Sequence, residues 1–425
     1  MLNRTIAPDF KQVDTISFIE PIAQQLANGI KVFTINAGQQ ELVRIEFIFQ
    51  NVNWNPSKPL QAQAVNTLIN NGTKQLSARE IAERVDFYGA FLQTEYAADY
   101  ITVSLYSLNK HLKAVLPLVW SILNESIFPA DELAIYKQNQ QQKLKVNLQK
   151  NDFLARKTFA HHIFGHTAYG ADISLTDYNA LERAELLAYF NAAFTPQNCT
   201  VIAAGKFGET EFGLLNDIFG GNWAHHGQAT VNKFNYEEAE AIEIYLERKD
   251  AIQSALRLGN ISINRKHPDF PALQIMNTLF GGYFGSRLMA NIREDKGYTY
   301  GIGSGIASLK DAGYFFIATE VGTAVCNDAL REIEKEIEIL KTDPVGEEEL
   351  NLVRNFMLGS LLGSLENAFS HADKFKNIYF SGLTFDYYTT YIHRVKNITA
   401  EEIKATANTY LNWENMTKVV VGKKG

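Results

Sequence analysis

Residues 44–49 (Arg-Ile-Glu-Phe-Ile-Phe) alternate in the manner of a half-buried β-strand, which is the structure we predict for them. Residues 61–70 instead repeat their apolar positions every three to four residues, which predicts a helix. A second helix is predicted over 77–85, because Glu80 follows Ser77 at the spacing of a capping box. The other predictions for the first half are a strand at 100–105 and an apolar helix at 112–123.

The same order of elements returns in the second half of the chain. Asn66-Thr67-Leu68 recurs 211 residues later as Asn277-Thr278-Leu279. Arg84 and Arg293, which lie 209 residues apart, each stand seven residues before an aromatic residue. The predicted elements of this half are strands at 256–263 and 313–319 and helices at 270–279 and 324–340. Two nearly equal offsets indicate tandem copies of one domain.

Strands and helices alternate without the short, regular crossovers of a parallel sheet. We therefore predict an α+β fold of two tandem homologous domains, each a mostly antiparallel sheet with helices on one face. The Gly-rich segment 219–227 lacks periodicity and is typical of a linker. The predicted organisation is an N-terminal domain at 1–215, a linker at 216–240 and a C-terminal domain at 241–425.

The composition and charge of the chain argue against nucleic-acid-binding and membrane-spanning proteins. The chain has 425 residues, of which 46% are hydrophobic and 20% charged, as in soluble multidomain proteins. A net charge of −7 without a basic cluster argues against nucleic acid as a partner. No apolar run is long enough for a signal peptide or a membrane span, so we predict a cytoplasmic protein. Cys199 and Cys326 are expected to be buried free thiols, a single disulfide between them being the alternative.

The most specific sequence is a long motif in the second half. It runs Gly-Gly-Tyr-Phe-Gly-Ser-Arg-Leu over 281–288 and continues as Ile-Arg-Glu-Asp-Lys-Gly-Tyr-Thr-Tyr over 292–300. Residues 26–32 (Leu-Ala-Asn-Gly-Ile-Lys-Val) add a matching first strand. With the tandem layout, these segments resemble the pitrilysin/insulinase-type metallopeptidases, which carry an inverted zinc motif, over nearly the whole chain. The resemblance implies two domains that form a clamshell around an extended peptide.

The zinc site of that family has no counterpart here. Active members bind zinc through His-x-x-Glu-His on a first-domain helix that runs into a Gly-Thr pair, and through a later Glu. Gly72-Thr73 anchors the alignment and places Gln63, Asn66 and Thr67 at the motif positions. The later Glu falls at Lys143 or Leu144. Zinc prefers imidazole, thiolate or carboxylate ligands, so the resemblance predicts a degenerate site without metal and without a general base.

The second-half motif keeps a different part of the family's machinery. In active relatives an Arg and a Tyr seven residues apart reach the substrate, and Arg293 and Tyr300 occupy these positions. By resemblance, the Tyr hydroxyl donates to the oxyanion and the Arg binds substrate carbonyl oxygens. Taken alone, the two residues would be a surface Arg and a sheet aromatic. Some family members are heterodimers in which one chain carries zinc and the other keeps only this Arg/Tyr pair.

The resemblance therefore predicts a non-catalytic, pseudo-peptidase subunit of a zinc metalloendopeptidase. Its partner would be a homologous catalytic subunit that supplies the zinc, and its ligands would be extended peptides added to a sheet edge. Two alternatives stay open. The first is a structural or binding protein without a peptidase role, and the second is an active zinc peptidase with atypical ligands.

The histidine pairs are weaker metal candidates. His162 and His166 are four residues apart, but Gly165 interrupts the spacing and no acidic third ligand lies nearby in the sequence. His161 belongs to the same cluster. His225-His226 in the predicted linker is expected to be exposed surface.

Overall fold

The computed structural model of the chain describes residues 13, 15–223, 227–234 and 240–424. The strands in this part are β1 (Ile22–Gln25), β2 (Lys31–Asn36), β3 (Leu42–Gln50), β4 (Phe91–Tyr96), β5 (Tyr100–Leu108), β6 (Cys199–Gly205), β7 (Glu243–Glu247), β8 (Gln253–Ser262), β9 (Thr299–Ser308), β10 (Gly313–Gly322) and β11 (Thr417–Gly422). The first-half helices are α1 (Gln61–Leu68), α2 (Ala78–Phe87), α3 (Leu112–Glu125), α4 (Ala130–Asn147), α5 (Asn151–Phe164), α6 (Leu175–Ala180), α7 (Arg183–Ala193) and α8 (Glu209–Phe219). Those of the second half are α9 (Phe270–Asn277), α10 (Cys326–Thr342), α11 (Glu347–Gly363), α12 (Ala368–Tyr379), α13 (Asp386–Asn397) and α14 (Ala400–Tyr410).

The first half folds around a mixed sheet with the strand order β1-β2-β6-β3-β5-β4. β2 and β6 run parallel, and the remaining neighbours in this sheet are antiparallel. The odd-numbered residues Val43, Ile45, Phe47 and Phe49 of β3 point into the main core of this half, beneath α1 and α3. This arrangement explains the alternation in the sequence, because successive side chains of a strand point to opposite faces.

The second half repeats this architecture. Its sheet has the order β7-β11-β8-β10-β9, again with one parallel pair, β7 and β11. Its strands therefore correspond in position to β2, β6, β3, β5 and β4. The helices α1 and α9 begin 209 residues apart, the offset seen in the sequence. The predicted α+β class with two mostly antiparallel sheets is confirmed.

Each half covers the second face of the other half's sheet with one helix. α5 leaves the first half and packs on β8 and β11, where Ala155, Phe159 and Ile163 contact Val419 and Val421. Conversely, α12 of the second half packs on the first sheet, where Ala372 and Phe375 meet residues of β2, β3 and β6. We call α5 and α12 the exchanged helices. They join the two halves through two separate apolar cores.

Most of the predicted elements lie where the sequence places them. The predicted strands at 44–49 and 100–105 fall within β3 and β5, and the helix at 77–85 overlaps α2. The capping box at its start is confirmed, because Ser77 accepts from the Glu80 amide while Glu80 accepts from that of Ser77. The predicted second-half strands overlap β8 and β10, and the predicted helices overlap α9 and α10.

The segment after α8 is packed against the first half. α8 spans residue 215, and Phe219 and Trp223 are buried in the first-half core. The indole nitrogen of Trp223 donates to the Phe219 carbonyl at 3.1 Å, which fixes the chain beyond the helix end. The division of the chain at 215 and 240 stays a prediction.

Both cysteines are buried and free. Burial raises the pKa of the Cys199 thiol, which keeps it protonated and unreactive. Among the helices of the described ranges, none has the length and apolar content needed to cross a bilayer.

Candidate functional site

The glycine pair of the second-half motif forms a π-helical turn, Thr278–Gly282, that continues α9. Gly281 lies directly against β9. A Cβ on Gly281 would stand 2.5 Å from the Ser304 Oγ and 2.8 Å from both the Ser304 backbone nitrogen and a methyl group of Leu288. Only a residue without a side chain allows this approach. The glycine therefore sets the distance between the end of α9 and the edge strand β9.

Other residues of the motif hold the scaffold together. Arg287 forms two hydrogen bonds to the Glu349 carboxylate of α11, from Nε and from one terminal nitrogen, each at 2.8 Å. Leu288 and Ile292 are fully buried in the second core. The guanidinium of Arg287 is thus committed to an internal ion pair, and these three residues position the segment that carries Arg293.

Tyr300 stands on the edge strand β9 at a β-bulge. Ile302 pairs with Thr319 and Thr299 pairs with Val321, so Tyr300 and Gly301 together face the single residue Glu320. A bulge twists the strand and redirects a side chain. Tyr300 is 93% exposed, an unusual state for an aromatic residue in a sheet.

Arg293 belongs to a second π-helical turn, Met289–Asp295, which packs beside β9. Its guanidinium carbon lies 4.8 Å from the centre of the Phe284 ring, and one terminal nitrogen lies 3.7 Å from a carboxylate oxygen of the adjacent Glu294. Phe284 is itself exposed. The second half thus presents a half-buried cation and an exposed phenol on neighbouring elements beside the edge strand of its sheet.

The predicted degenerate zinc positions, Gln63, Asn66 and Thr67, lie on α1, where their side chains have the environment of ordinary helix residues. The Thr67 hydroxyl donates to the Gln63 carbonyl at 2.9 Å, and Asn66 is buried with its amide oxygen unpaired. In α9 the Thr278 hydroxyl donates to the Gln274 carbonyl at 2.8 Å in the same way. Both segments have the sequence Gln-x-x-Asn-Thr-Leu, over residues 63–68 in α1 and over residues 274–279 at the end of α9 and the start of the π-helical turn. The first-half helix therefore has the same residues as its second-half counterpart at the three predicted zinc positions.

The position of the later Glu does not complete a metal site. Lys143 is exposed on α4, and Leu144 is buried in the first-half core. Across the described parts of the chain, no three His, Cys, Asp or Glu residues are grouped so that they could hold a metal ion. The donor set around α1 does not fit a catalytic zinc, because amides and hydroxyls replace imidazole and carboxylate.

The histidine cluster also serves local structure. α5 ends at Phe164, where Gly165 adopts a positive φ of 54°, so His166 lies beyond the helix and does not share a face with His162. His161 Nδ1 lies 2.9 Å from the Gly170 carbonyl oxygen. His162 Nε2 lies 2.9 Å from the carbonyl of Glu240. His225 and His226 lie outside the described residues.

Comparison with known proteins shows which family part of the chain matches. Residues 180–357 match the family model described as the peptidase M16 inactive domain, M16 being the name of the pitrilysin/insulinase-type family. Nearly the whole fold matches the crystal structure of a peptidase M16 inactive domain from Pseudomonas fluorescens, with a TM-score of 0.86, 23% identity, and coverage of 95% of this chain and 98% of that one. Residues 180–357 thus match an M16 domain of the inactive type, and the fold of the whole chain is similar to that of an M16 inactive domain.

Several M16-type relatives resemble the chain over most of its length. It is 28% identical to the uncharacterized zinc protease YmxG of Bacillus subtilis over 306 residues, which cover 70% of this chain and 72% of that protein. It is 23% identical to the non-peptidase homolog YmxG of Helicobacter pylori over 368 residues, 84% and 83% of the two chains. The fold also matches a protease structure from Helicobacter pylori, with a TM-score of 0.87, 16% identity and coverage of 96% and 100%.

The sequence did not identify every residue that shapes this candidate site. It located Arg293 and Tyr300 by their spacing, but their roles stay predictions. The bulge opposite Glu320 and the Arg287–Glu349 ion pair were not anticipated, since both depend on contacts between distant segments. A signal for the state of α1 was available, however, because Asn66-Thr67-Leu68 repeats the second-half sequence.

Proposed function

We propose that the chain is a non-catalytic subunit of an M16 zinc metalloendopeptidase. It binds extended peptides and places Arg293 and Tyr300 at the zinc of a homologous catalytic partner. The observation that carries this proposal is the exposure of Tyr300 at the bulge of an edge strand. The motif's other arginine, Arg287, is held in an internal ion pair, whereas Arg293 is partly exposed and Tyr300 almost fully exposed.

The chemistry of α1 supports the non-catalytic part of the proposal. Hydrolysis at zinc needs ligands that hold the ion and a base that takes a proton from its water. Gln63, Asn66 and Thr67 provide neither function. The family model is described as an inactive domain, and one relative is named a non-peptidase homolog, which agrees with this reasoning.

The packing of the two halves agrees with a zinc site supplied by a second chain. The exchanged helices cover the face of each sheet that lies opposite its main core, so the halves cannot separate without exposing both apolar clusters. β9 is the edge strand of the second sheet, and strand addition at a sheet edge is a common way of binding an extended peptide. A peptide bound there meets Tyr300 on one side, and a second chain must provide the zinc on the other. Buried free thiols suit the reducing cytoplasm, where we place both subunits.

The test is reconstitution with a homologous chain from the same genome that carries His-x-x-Glu-His. Each chain is purified alone and with the other, and hydrolysis of quenched-fluorescent peptides is measured with and without a zinc chelator. We expect this chain alone to be inactive and the complex to be active and chelator-sensitive. Tyr300→Phe should lower kcat of the complex about 10²-fold or more, the usual effect of removing an oxyanion donor. Arg293→Ala should lower kcat/KM by about 10- to 100-fold, because it removes charge-assisted hydrogen bonds.

Tyr245→Phe is the matched control, because Tyr245 lies on β7 at the opposite edge of the same sheet. Its complex should keep full activity. Failure of the two chains to associate, with no gain in hydrolysis, contradicts the proposal. An active complex that tolerates both Arg293→Ala and Tyr300→Phe would instead assign the chain a purely structural role.

A further inference from the structure

A cavity of about 420 Å³ opens between the exchanged helix α5 and the second sheet, next to Tyr300. It lies on the face of the sheet opposite the main core, over β8, β9 and β10. Its charged lining residues are Asp152 and Arg156 of α5, Arg257 of β8 and Glu320 of β10. Its volume is within the range of roughly 300–1,000 Å³ usual for ligand cavities.

The charges in this cavity are separated by sign. Asp152 precedes Arg156 by one helical turn, and Glu320 lies two residues along β10 from Ala318, the partner of Arg257 in the ladder. The two carboxylates interact with each other near Tyr300, and this repulsion adds to burial in raising the pKa of Glu320. The guanidinium groups of Arg156 and Arg257 likewise repel each other, and we call their part of the cavity the guanidinium end. Each end therefore holds a pair of like charges.

The guanidinium end has no counter-ion within the described part of the protein. No carboxylate there lies within 4.0 Å of either arginine. Arg257 stacks on the Phe316 ring at 3.8 Å, and its buried Nε has no hydrogen-bond partner. Burial is the main cause that lowers the pKa of Arg257, the neighbouring Arg156 adds to it, and the side chain of Tyr314 offsets part of the shift.

The equivalent site in the first half shows what a balanced version looks like. Glu46 of β3 corresponds to Arg257 of β8, and it faces the other exchanged helix, α12. There Lys376 contacts the Glu46 carboxylate at 2.7 Å and Arg44 contacts it at 3.1 Å, while Asp373 pairs with Arg44 at 2.8 Å. Two cations and two anions thus neutralise one another. In the second half, by contrast, the carboxylates of Asp152 and Glu320 lie more than 4.0 Å from the guanidinium groups of Arg156 and Arg257, so a bound anion could fill the place that Asp373 and Glu46 occupy in the first half.

We propose that this cavity binds a peptide carboxylate between the guanidinium groups of Arg156 and Arg257. The inference rests on the proposed function, in that it takes peptides as the ligand class. The planar guanidinium matches a carboxylate with paired hydrogen bonds. Asp152 and Glu320 repel a carboxylate from the Tyr300 end. The peptide carboxylate therefore lies at the guanidinium end, and the rest of the peptide extends toward β9.

The experiment measures binding of short peptides to the full chain alone by isothermal titration calorimetry. The probes are N-acetyl-trialanine as the free acid, the same peptide as the C-terminal amide, and an amidated peptide with a central glutamate. We expect the free acid to bind at least about 10-fold more tightly than the plain amide, since hydrogen bonds to charged groups are lost in the amide. Binding of the glutamate peptide as tight as that of the free acid would identify an acidic side chain as an equivalent source of the carboxylate.

Two variants test the residues, and a third is the control. Arg257→Gln and Arg156→Gln should each reduce the affinity for the free acid toward that for the amide. Arg331→Gln, on the exposed surface of α10, should leave it unchanged. Because Arg156 is exposed, its variant keeps the test valid even if Arg257→Gln disturbs folding.

Equal affinity for acid and amide, no effect of either arginine variant, or no binding of any probe overturns the inference. The first two results leave the catalytic partnership untouched. Conversely, a clear preference for the free acid in a chain that never activates a homologous peptidase would retain the carboxylate site and reject the proposed function.

Discussion

Replacing Gly281 by Ala is expected to destabilise the protein through the contact between the π-helical turn and β9. The added Cβ would meet the Ser304 Oγ at 2.5 Å, and it would meet the Ser304 backbone nitrogen and a Leu288 methyl group at 2.8 Å. Ordinary contacts of a Cβ are 3.4–4 Å, so the gap must widen by more than half an ångström. The Ser304 hydroxyl can rotate away, but the backbone nitrogen is fixed by the pairing of β9 with β10.

The size of the destabilisation is best measured against a second glycine-to-alanine substitution at an open position. Overpacking of a tight contact costs about 1–3 kcal/mol. Gly359 of α11 provides the reference, since a Cβ there meets nothing within 4 Å and the position is helical and exposed. Gly359→Ala should therefore stabilise by about 1 kcal/mol, the helix propensity difference between the two residues. The free energies of unfolding of the two variants should differ by about 2–4 kcal/mol.

Chemical denaturation followed by circular dichroism measures this difference, with wild type and both variants under one condition. A shift of β9 would also move Tyr300, so Gly281→Ala should lower the activity of the reconstituted complex beyond its effect on stability. If Gly281→Ala were as stable as Gly359→Ala, the close approach of the turn to β9 would not be a constraint, and the argument for the glycine would be refuted.

Three further predictions test other parts of the structure. The His371 ring accepts a backbone amide hydrogen bond at 3.2 Å, and burial lowers its pKa. The stability that neutral His371 contributes is therefore complete above the unfolded pKa of about 6.5 and is lost as the pH falls through the folded pKa. When the free energy of unfolding is measured from pH 7 downward, His371→Gln should not show this decrease, whereas the wild type should. Phe159→Ala should cost about 3–5 kcal/mol in denaturant unfolding by emptying the core under α5, whereas the exposed Leu352→Ala should change stability by less than about 0.5 kcal/mol. Purified wild-type chain should carry no stoichiometric zinc by elemental analysis, whereas Gln63→His with Thr67→His should gain a zinc-dependent stabilisation of about 2.7 kcal/mol at 100 times the Kd; bound zinc in the wild type would contradict our interpretation of α1.

The local pattern of the sequence was sufficient for the sheets and for part of the site. β3 and β5 follow from alternation, α2 from its capping box, and the Arg293–Tyr300 spacing from the motif. These features depend on residues close together in the chain, where period and spacing report directly on geometry.

Contacts between the halves could not be predicted in this way. Ala155, Phe159 and Ile163 recur every four residues and indicate an apolar helix face, but nothing in their spacing tells which sheet that face covers. The balance of Glu46 by Lys376 joins residues 330 positions apart. For the same reason the lack of a counter-ion at Arg257 became visible only when the two halves were compared in three dimensions.

The exchanged helices give the duplicated chain a property that its tandem layout would not suggest. A fragment ending before the second half would retain α5 without the sheet it covers, and would leave its own sheet bare where α12 belongs. Either half expressed separately should therefore aggregate. The two halves produced together should reassemble, because each supplies the helix that covers the other's sheet. If the chain were cut between the halves, the two pieces would then stay associated and unfold in one cooperative transition. A substitution on the sheet of one repeat would therefore have to remain compatible with the helix that the other repeat packs on it.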